Sequence, residues 1–316
     1  MNGTHIEIMQ NFSEKSIPNL DVCVLAALEL LSQAKVPKMS IPYKHPLIVG
    51  SGNAIATGRI IFEDRFALFA DESTFEEKLK TIKEIDGVVL LSASGGKHSP
   101  IIAHVSKKYK KHVTLITNTL HSPTEKELDL KHSYDQYVFP KNREPYTYNT
   151  STYMGMIFGH TKEDPQKILG FIKKNVDRVR LPNFSRIKKY YIIVPEEFEG
   201  IVRLLNVKFI ELFGRNIARD IETFEYIPHA TTVVPSGELF ISFGHGVGKK
   251  MQPLITKNSI HIPLPRGADY GAMMAIGYYI IGKIQKSQPP WFKKNIVNYM
   301  KKASKVFGKE MKVVVG

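Results

Sequence analysis

The chain has 316 residues, 43% hydrophobic and 23% charged, a balance that suits a soluble globular protein with room for two cores. No apolar run reaches the ~18–20 residues of a membrane span, and the opening "MNGTHIEIMQNFSEKS" lacks the basic-then-apolar pattern of a secretory signal. Cys23 is the only cysteine, which excludes an intramolecular disulfide and cysteine-rich zinc sites and fits a reducing cytoplasm, while the formal net charge of +14 favours encounter with anionic partners.

The pattern predicts a helix over 20–36, inside an N-terminal helical extension of residues 1–45. A rhythm of short apolar strands and amphipathic helices follows. Strands are predicted at 46–50, 66–70, 87–92, 112–117 and 134–140, with closing helices over 152–175. Fully apolar strands that alternate with helices imply a parallel sheet covered on both faces. A polar stretch over 176–188 separates this first domain, 46–175, from a second over 189–316. The second starts with a strand at 190–195 and a long helix over 197–214. Strands at 238–244 and 259–265 and two C-terminal helices complete it. The lysine-rich segment 291–312 carries Phe292, Ile296, Met300, Ala303 and Phe307 at helical spacing. It is read as a packed helix with a solvated lysine face, so neither nucleic acid nor a membrane is an expected partner.

In a parallel sheet, ligands sit where strand ends lead into helix N-termini. Three such turns are "GSGNA" (50–54), "SASGG" (92–96) and "TN" (117–118). Helix N-termini, serine hydroxyls and glycine backbones suit a phosphate. Plain helix capping is the alternative for each turn. "GSGNAIATG" fails the dinucleotide fingerprint at Ile55, and "FGHGVGKK" (243–250) has Phe243 where a Walker A loop needs glycine.

These turns resemble the SIS, or sugar isomerase, family, whose pattern is G-x-G-x-S, then S-x-S-G-x-T, then a strand ending I-T-N. The tandem arrangement is similar to the isomerase half of glucosamine-6-phosphate synthase and to the archaeal bifunctional phosphoglucose/phosphomannose isomerases. The resemblance implies an α/β fold of two tandem, doubly wound, flavodoxin-like parallel-sheet domains. It implies that Gly52, Asn53, Ser92, Ser94, Gly95 and Gly96 bind the phosphate of a sugar phosphate. Two positions depart from the pattern: Ala54 replaces a serine, and Lys97 replaces a threonine. Lys97 either substitutes its charge for the missing hydroxyls or is a solvated residue of the first turn. The segment "REPYTYNTSTYMGM" (143–156) matches the family's sugar-pocket segment at Glu144, Thr150 and Tyr153, with Asn149 in place of serine.

Lys208 and Glu211 lie three apart on one helix amid Leu204, Leu205, Val207, Phe209, Ile210, Leu212 and Phe213. Burying such charges is costly unless they are paired. The pair is either a structural ion pair or a catalytic one. The resemblance implies the second, with Glu211 as base, Lys208 beside it, His229 as the ring-opening acid and Lys312 near the ring or carbonyl oxygen. For His229 and Lys312 the alternatives are a packed or capping histidine and a lysine that flanks a final strand. Aldose–ketose interconversion through an enediol needs a carboxylate base, a cation or donor at the oxyanion and an acid near neutral pH. These roles need neither a metal nor an organic cofactor. The expected function is therefore a cytoplasmic phosphosugar isomerase, or a glucosamine-6-phosphate deaminase or deglycase. The alternative is a non-catalytic sugar-phosphate sensor, although residues 1–45 are too short for the helix-turn-helix domain such proteins often carry. By the same resemblance a homodimer is expected, with His229 reaching the neighbouring subunit's site.

Overall fold

The computed structural model describes residues 4–128, 134–230, 234, 236–244, 258–308 and 310–316. Residues 245–250 of the stretch 243–250 that fails the Walker A pattern, and residues 231–233 after His229, lie outside the described residues. The chain divides into two compact units. One comprises Gln33–Lys141 and Ser151–Lys162; the other comprises Met1–Ser32, Asn142–Thr150 and Glu163–Gly316.

The first unit is built on strands β1 (Pro46–Val49), β2 (Leu68–Ala70), β3 (Gly87–Leu91), β4 (His112–Thr117) and β5 (Tyr134–Val138). All neighbours are parallel, in the order β2-β1-β3-β4-β5. This is the doubly wound, flavodoxin-like order, and its direction reverses between β1 and β3. Every residue of β1 and β3 is buried, as their apolar runs require. Helices α3 (Asn53–Ile61), α4 (Phe75–Thr81), α5 (Ser99–Lys108) and α6 (Pro123–Leu128) connect the strands. Leu47, Val49, Val88, Leu90, Ile102 and Leu115 anchor the core between sheet and helices.

The second unit carries strands β7 (Lys189–Val194), β8 (Ala218–Thr223), β9 (Leu239–Phe243) and β10 (Ser259–Ile262). They are parallel in the order β10-β9-β7-β8, the same winding with one strand fewer. β8 was not predicted. It is an edge strand whose Arg219, Asp220 and Glu222 face at least partly to solvent, so no apolar run marks it. The long helix expected over 197–214 is a 3-10 segment, Glu196–Ile201, followed by α9 (Val202–Phe213); non-helical backbone at Phe198 breaks the continuity.

The N-terminal helices α1 (His5–Asn11) and α2 (Leu20–Gln33) pack in this second unit. Its other helices are α8 (Pro165–Lys174), the single turn α10 (Ile227–Ala230), α11 (Tyr270–Ser287) and α12 (Trp291–Phe307); α7 (Thr150–Thr161) opens at the unit's edge. α11 is apolar all round and almost wholly buried. Gly282 lets α2 close on it, since a Cβ there would lie 2.0 Å from the Asp21 amide nitrogen. In α12, Phe292, Ile296, Met300 and Ala303 are buried, as their spacing predicts, and the Phe307 side chain lies outside the described residues. A two-residue pairing of β6 (Glu144–Pro145) with β11 (Val314–Val315) ties in the C-terminal segment.

Candidate functional site

The turns after β1 and β3 flank the point where the first sheet reverses, the crevice in which such sheets bind ligands. In the first turn Gly52 has φ +56, a conformation glycine adopts without strain. Asn53 opens α3, and its Oδ1 is buried without a hydrogen-bond partner. The Ser51 hydroxyl is engaged, donating to Glu72 Oε2 at 2.5 Å.

The second turn is wedged into one shape. Gly95 has φ +57, and a Cβ there would sit 2.3 Å from Ser122 Oγ, so only glycine fits. Thr124 Oγ1 lies 2.7 Å from Gly95 O and 2.8 Å from Ser99 Oγ and donates its one hydrogen to one of them. The Gly95 amide donates to Ser92 O at 3.4 Å, so it helps close the turn rather than standing open to an anion. The Ser94 and Gly96 amides make no hydrogen bond to another described residue. Ser94 and Lys97 are exposed and Ser92 is half-buried. Lys97 takes φ +54, which a lysine adopts only at a steric cost. In the third turn Asn118 is tied to Thr152 Oγ1 at 2.5 Å.

In the other unit the structure brings Lys208 and Glu211 together. Lys208 has no exposed surface. Its ammonium donates to Glu211 Oε2 at 2.8 Å, to Tyr148 O at 2.8 Å and to Thr147 O at 3.1 Å. Those are all three of its hydrogens. The charge also lies over the faces of Tyr278 and Tyr148, at 5.3 Å and 5.9 Å from the ring centroids. The Glu211 side chain keeps 21% exposure. Burial lifts its carboxyl above the ordinary carboxylate range, and Lys208 opposes the lift. A carboxylate raised this way, held in place and still reachable, has the properties of a general base.

Glu144 lies next to the loop that Lys208 grips. It is buried, and its Oε2 accepts the Thr150 amide at 2.5 Å, so the carboxylate caps the start of α7. The Thr150 hydroxyl is buried with no partner. Lys312 is exposed and precedes Val313, whose carbonyl accepts the Tyr146 amide at 2.8 Å. It thus flanks the C-terminal segment alongside residues 144–147. His229 is exposed on α10 and makes no hydrogen bond or ion pair with Lys208 or Glu211.

Sequence reasoning missed two parts of this arrangement. One is the pair of carbonyls at Thr147 and Tyr148, which hold the Lys208 ammonium across some sixty residues of chain. The other is a groove of about 440 Å³ beside Glu211, between the end of α9 and α12. The spacing of Trp291, Asn295 and Tyr299, one helical turn apart, was the available signal for its α12 wall. The corresponding crevice of the second sheet, about 370 Å³, is lined by Pro195, Glu196 and Glu197 and has no glycine–serine turn after β7. No helix among the described residues is long and apolar enough to cross a membrane.

No family model matches the chain, and no curated protein sequence matches it. Solved structures do. The chain is similar to tagatose-6-phosphate ketose/aldose isomerase from Escherichia coli, with a TM-score of 0.58 and 11% identity over 90% of this chain and 89% of that one. It is similar to the C-terminal domain of glucosamine-fructose-6-phosphate aminotransferase from Francisella tularensis, with a TM-score of 0.56 and 12% identity over 85% of this chain and 98% of that one. At such identities the likeness is one of fold. With two parallel, doubly wound sheets in one chain, the protein has the tandem sugar-isomerase (SIS) fold that its turn motifs resemble.

Proposed function

We propose that this protein is a phosphosugar isomerase that interconverts aldose and ketose hexose or hexosamine phosphates through an enediol. The observation that carries the reading is the Glu211 carboxylate, lifted in pKa by burial, fixed by a fully buried lysine and still partly exposed. Glu211 takes the C2 proton and returns it at C1. Lys208 holds the carboxylate in place, and Lys312 supplies positive charge near the carbonyl oxygen as it gains charge. His229 opens the sugar ring. By the family resemblance it serves the site of a second copy in a homodimer. Gly52, Asn53, Ser92, Ser94, Gly96 and Lys97 bind the phosphate, with Gly95 holding the turn, and Glu144 and Thr150 shape the sugar pocket. Where C2 carries an amine, the same base serves a deamination that consumes one water and releases ammonia. The single, buried cysteine fits a reducing compartment, and we place the protein in the cytoplasm.

The experiment is incubation with hexose and hexosamine phosphates in deuterated water, with exchange at C2 read by NMR. The reading expects exchange in the wild type that Glu211→Gln abolishes while the sugar phosphate still binds. Binding with neither exchange nor turnover on any of these compounds would make the chain a sugar-phosphate-binding protein instead.

A further inference from the structure

Tyr148, whose carbonyl accepts the Lys208 ammonium at 2.8 Å, is itself held from its far end. Its side chain is wholly buried. The hydroxyl accepts from Gln285 Nε2 at 2.9 Å and donates to Pro18 O at 3.3 Å. The other end of the Gln285 carboxamide is also taken, since Oε1 accepts the Leu20 amide at 2.8 Å. That amide opens α2 and has no acceptor within its own helix. Gln285 is buried on α11, so one carboxamide joins the start of α2 to Tyr148. Tyr278 lies two turns earlier on the same face of α11. The Lys208 ammonium lies 5.3 Å from the Tyr278 ring centroid, and the Tyr278 hydroxyl donates to Leu204 O of α9 at 3.4 Å. α11 therefore braces Lys208 twice, directly through Tyr278 and indirectly from Gln285 through Tyr148.

The Tyr148 ring packs on Phe292 with centroids 5.0 Å apart. Ring packing alone leaves a side chain room to slide, whereas hydrogen bonds at its tip are directional and stop the slide. Fixing the tip fixes the main chain at 148, and with it the carbonyl. Lys208 has no exposed surface, and Glu211, Thr147 and Tyr148 take all three of its hydrogens. A shifted Tyr148 carbonyl would leave a buried hydrogen without an acceptor, and the ammonium would move to find one. We propose that Gln285 is a positioning residue for the Glu211 carboxylate, acting through the Tyr148 hydroxyl, the Tyr148 carbonyl and the Lys208 ammonium. Resting on the isomerase reading, Gln285 sets where the base stands without touching the substrate.

The test is a pH titration of protein labelled with carbon-13 at its glutamate carboxyls. The Glu211 signal is identified by NMR from its absence in Glu211→Gln. Lys208 opposes protonation of Glu211 through its charge and its hydrogen bond. Gln285→Met keeps the bulk and loses both hydrogen bonds. It should raise the Glu211 midpoint by about 0.5–1 pH unit, because a loosened ammonium opposes protonation less. Tyr148→Phe removes only the hydroxyl and should raise the midpoint by a similar amount, and the double variant no further. Asp21 and Cys23 of α2, whose charges also act on Tyr148, stay in place throughout. Gln288→Met is the control: that side chain is also buried at the end of α11, but it donates to Phe184 O and Ile187 O. It should lower the melting temperature and leave the midpoint unmoved. On sugar phosphate, Gln285→Met should lose about 5- to 20-fold in kcat with KM within about twofold. An unmoved midpoint in Gln285→Met or Tyr148→Phe, additive shifts in the double variant, or an equal shift in Gln288→Met would each overturn the proposal. If Gln285→Met fails to fold, Tyr148→Phe still decides. The titration involves no turnover. A midpoint that moves in a protein that turns over no sugar phosphate would leave Gln285 in its role and remove the isomerase reading. Turnover that Glu211→Gln abolishes, with an unmoved midpoint in Gln285→Met, would do the reverse.

Discussion

Lys208 Nζ, fully buried, sits 2.8 Å from Glu211 Oε2 and anchors that carboxylate to the carbonyls of Thr147 and Tyr148. The lysine therefore links a helix to a loop as well as neutralising an acid. Lys208→Met leaves two buried carbonyls and a carboxylate without their cation. Removing one partner of a buried pair costs about 3–5 kcal/mol, and urea denaturation should show a loss of that size. A loss under about 1 kcal/mol would mean that water readily replaces the ammonium.

Glu211→Gln should lower kcat on the true substrate by roughly 10²- to 10⁴-fold, the usual contribution of a general base. Binding of the sugar phosphate should stay near wild type. Steady-state kinetics with a binding titration separates the two, and equal losses in both would point to a misfolded site.

The pH profile has a definite sign. The Glu211 carboxyl titrates above its ordinary value of 4.5, because burial disfavours the charged form more than Lys208 favours it. A base acts when ionised, so kcat/KM should rise with pH through a midpoint above 4.5. Stability runs the other way. Between the unfolded and folded values the folded state binds more protons, so this group's contribution to stability falls as pH rises through that window. Glu211→Gln removes that fall. The variant should therefore gain on the wild type as pH increases, a trend that thermal melts across the pH range would reveal.

Gly95→Ala should destabilise the protein by about 1–3 kcal/mol, from the left-handed backbone and overpacking together. The added Cβ would meet Ser122 Oγ at 2.3 Å. Adding Ser122→Gly should recover the part due to the clash and leave the backbone part. Ser94→Ala, by contrast, should leave stability unchanged because Ser94 is exposed. It should weaken sugar-phosphate binding by about 1–3 kcal/mol, the loss expected for a hydrogen bond to a charged group. Full affinity in Ser94→Ala would return this turn to simple helix capping.

Gly282→Ala places a methyl against the Asp21 backbone, 2.0 Å from its nitrogen. Backbone cannot move aside as a flexible side chain can, so overpacking should cost at least about 3 kcal/mol. A near-wild-type melting temperature would show that α2 and α11 can separate without loss.

Local chemistry in the sequence was enough for the parallel strands of the first sheet. β1 and β3 are buried on both faces and read as apolar runs, and the glycine–serine turns between strand and helix mark where the ligand crevice opens. It was also enough to pair Lys208 with Glu211, because a spacing of three on a helix puts side chains on one face. Tertiary structure decided what depends on contacts distant in sequence. β8 is an edge strand, so its charged residues can face water and no hydrophobic pattern betrays it. Ser122 is what makes Gly95 obligatory, and the carbonyls that complete the shell of Lys208 come from a loop some sixty residues earlier. The groove beside Glu211 exists only because α12 packs near the end of α9. Periodicity shows which face of an element is buried. What that face meets depends on how the chain folds back on itself.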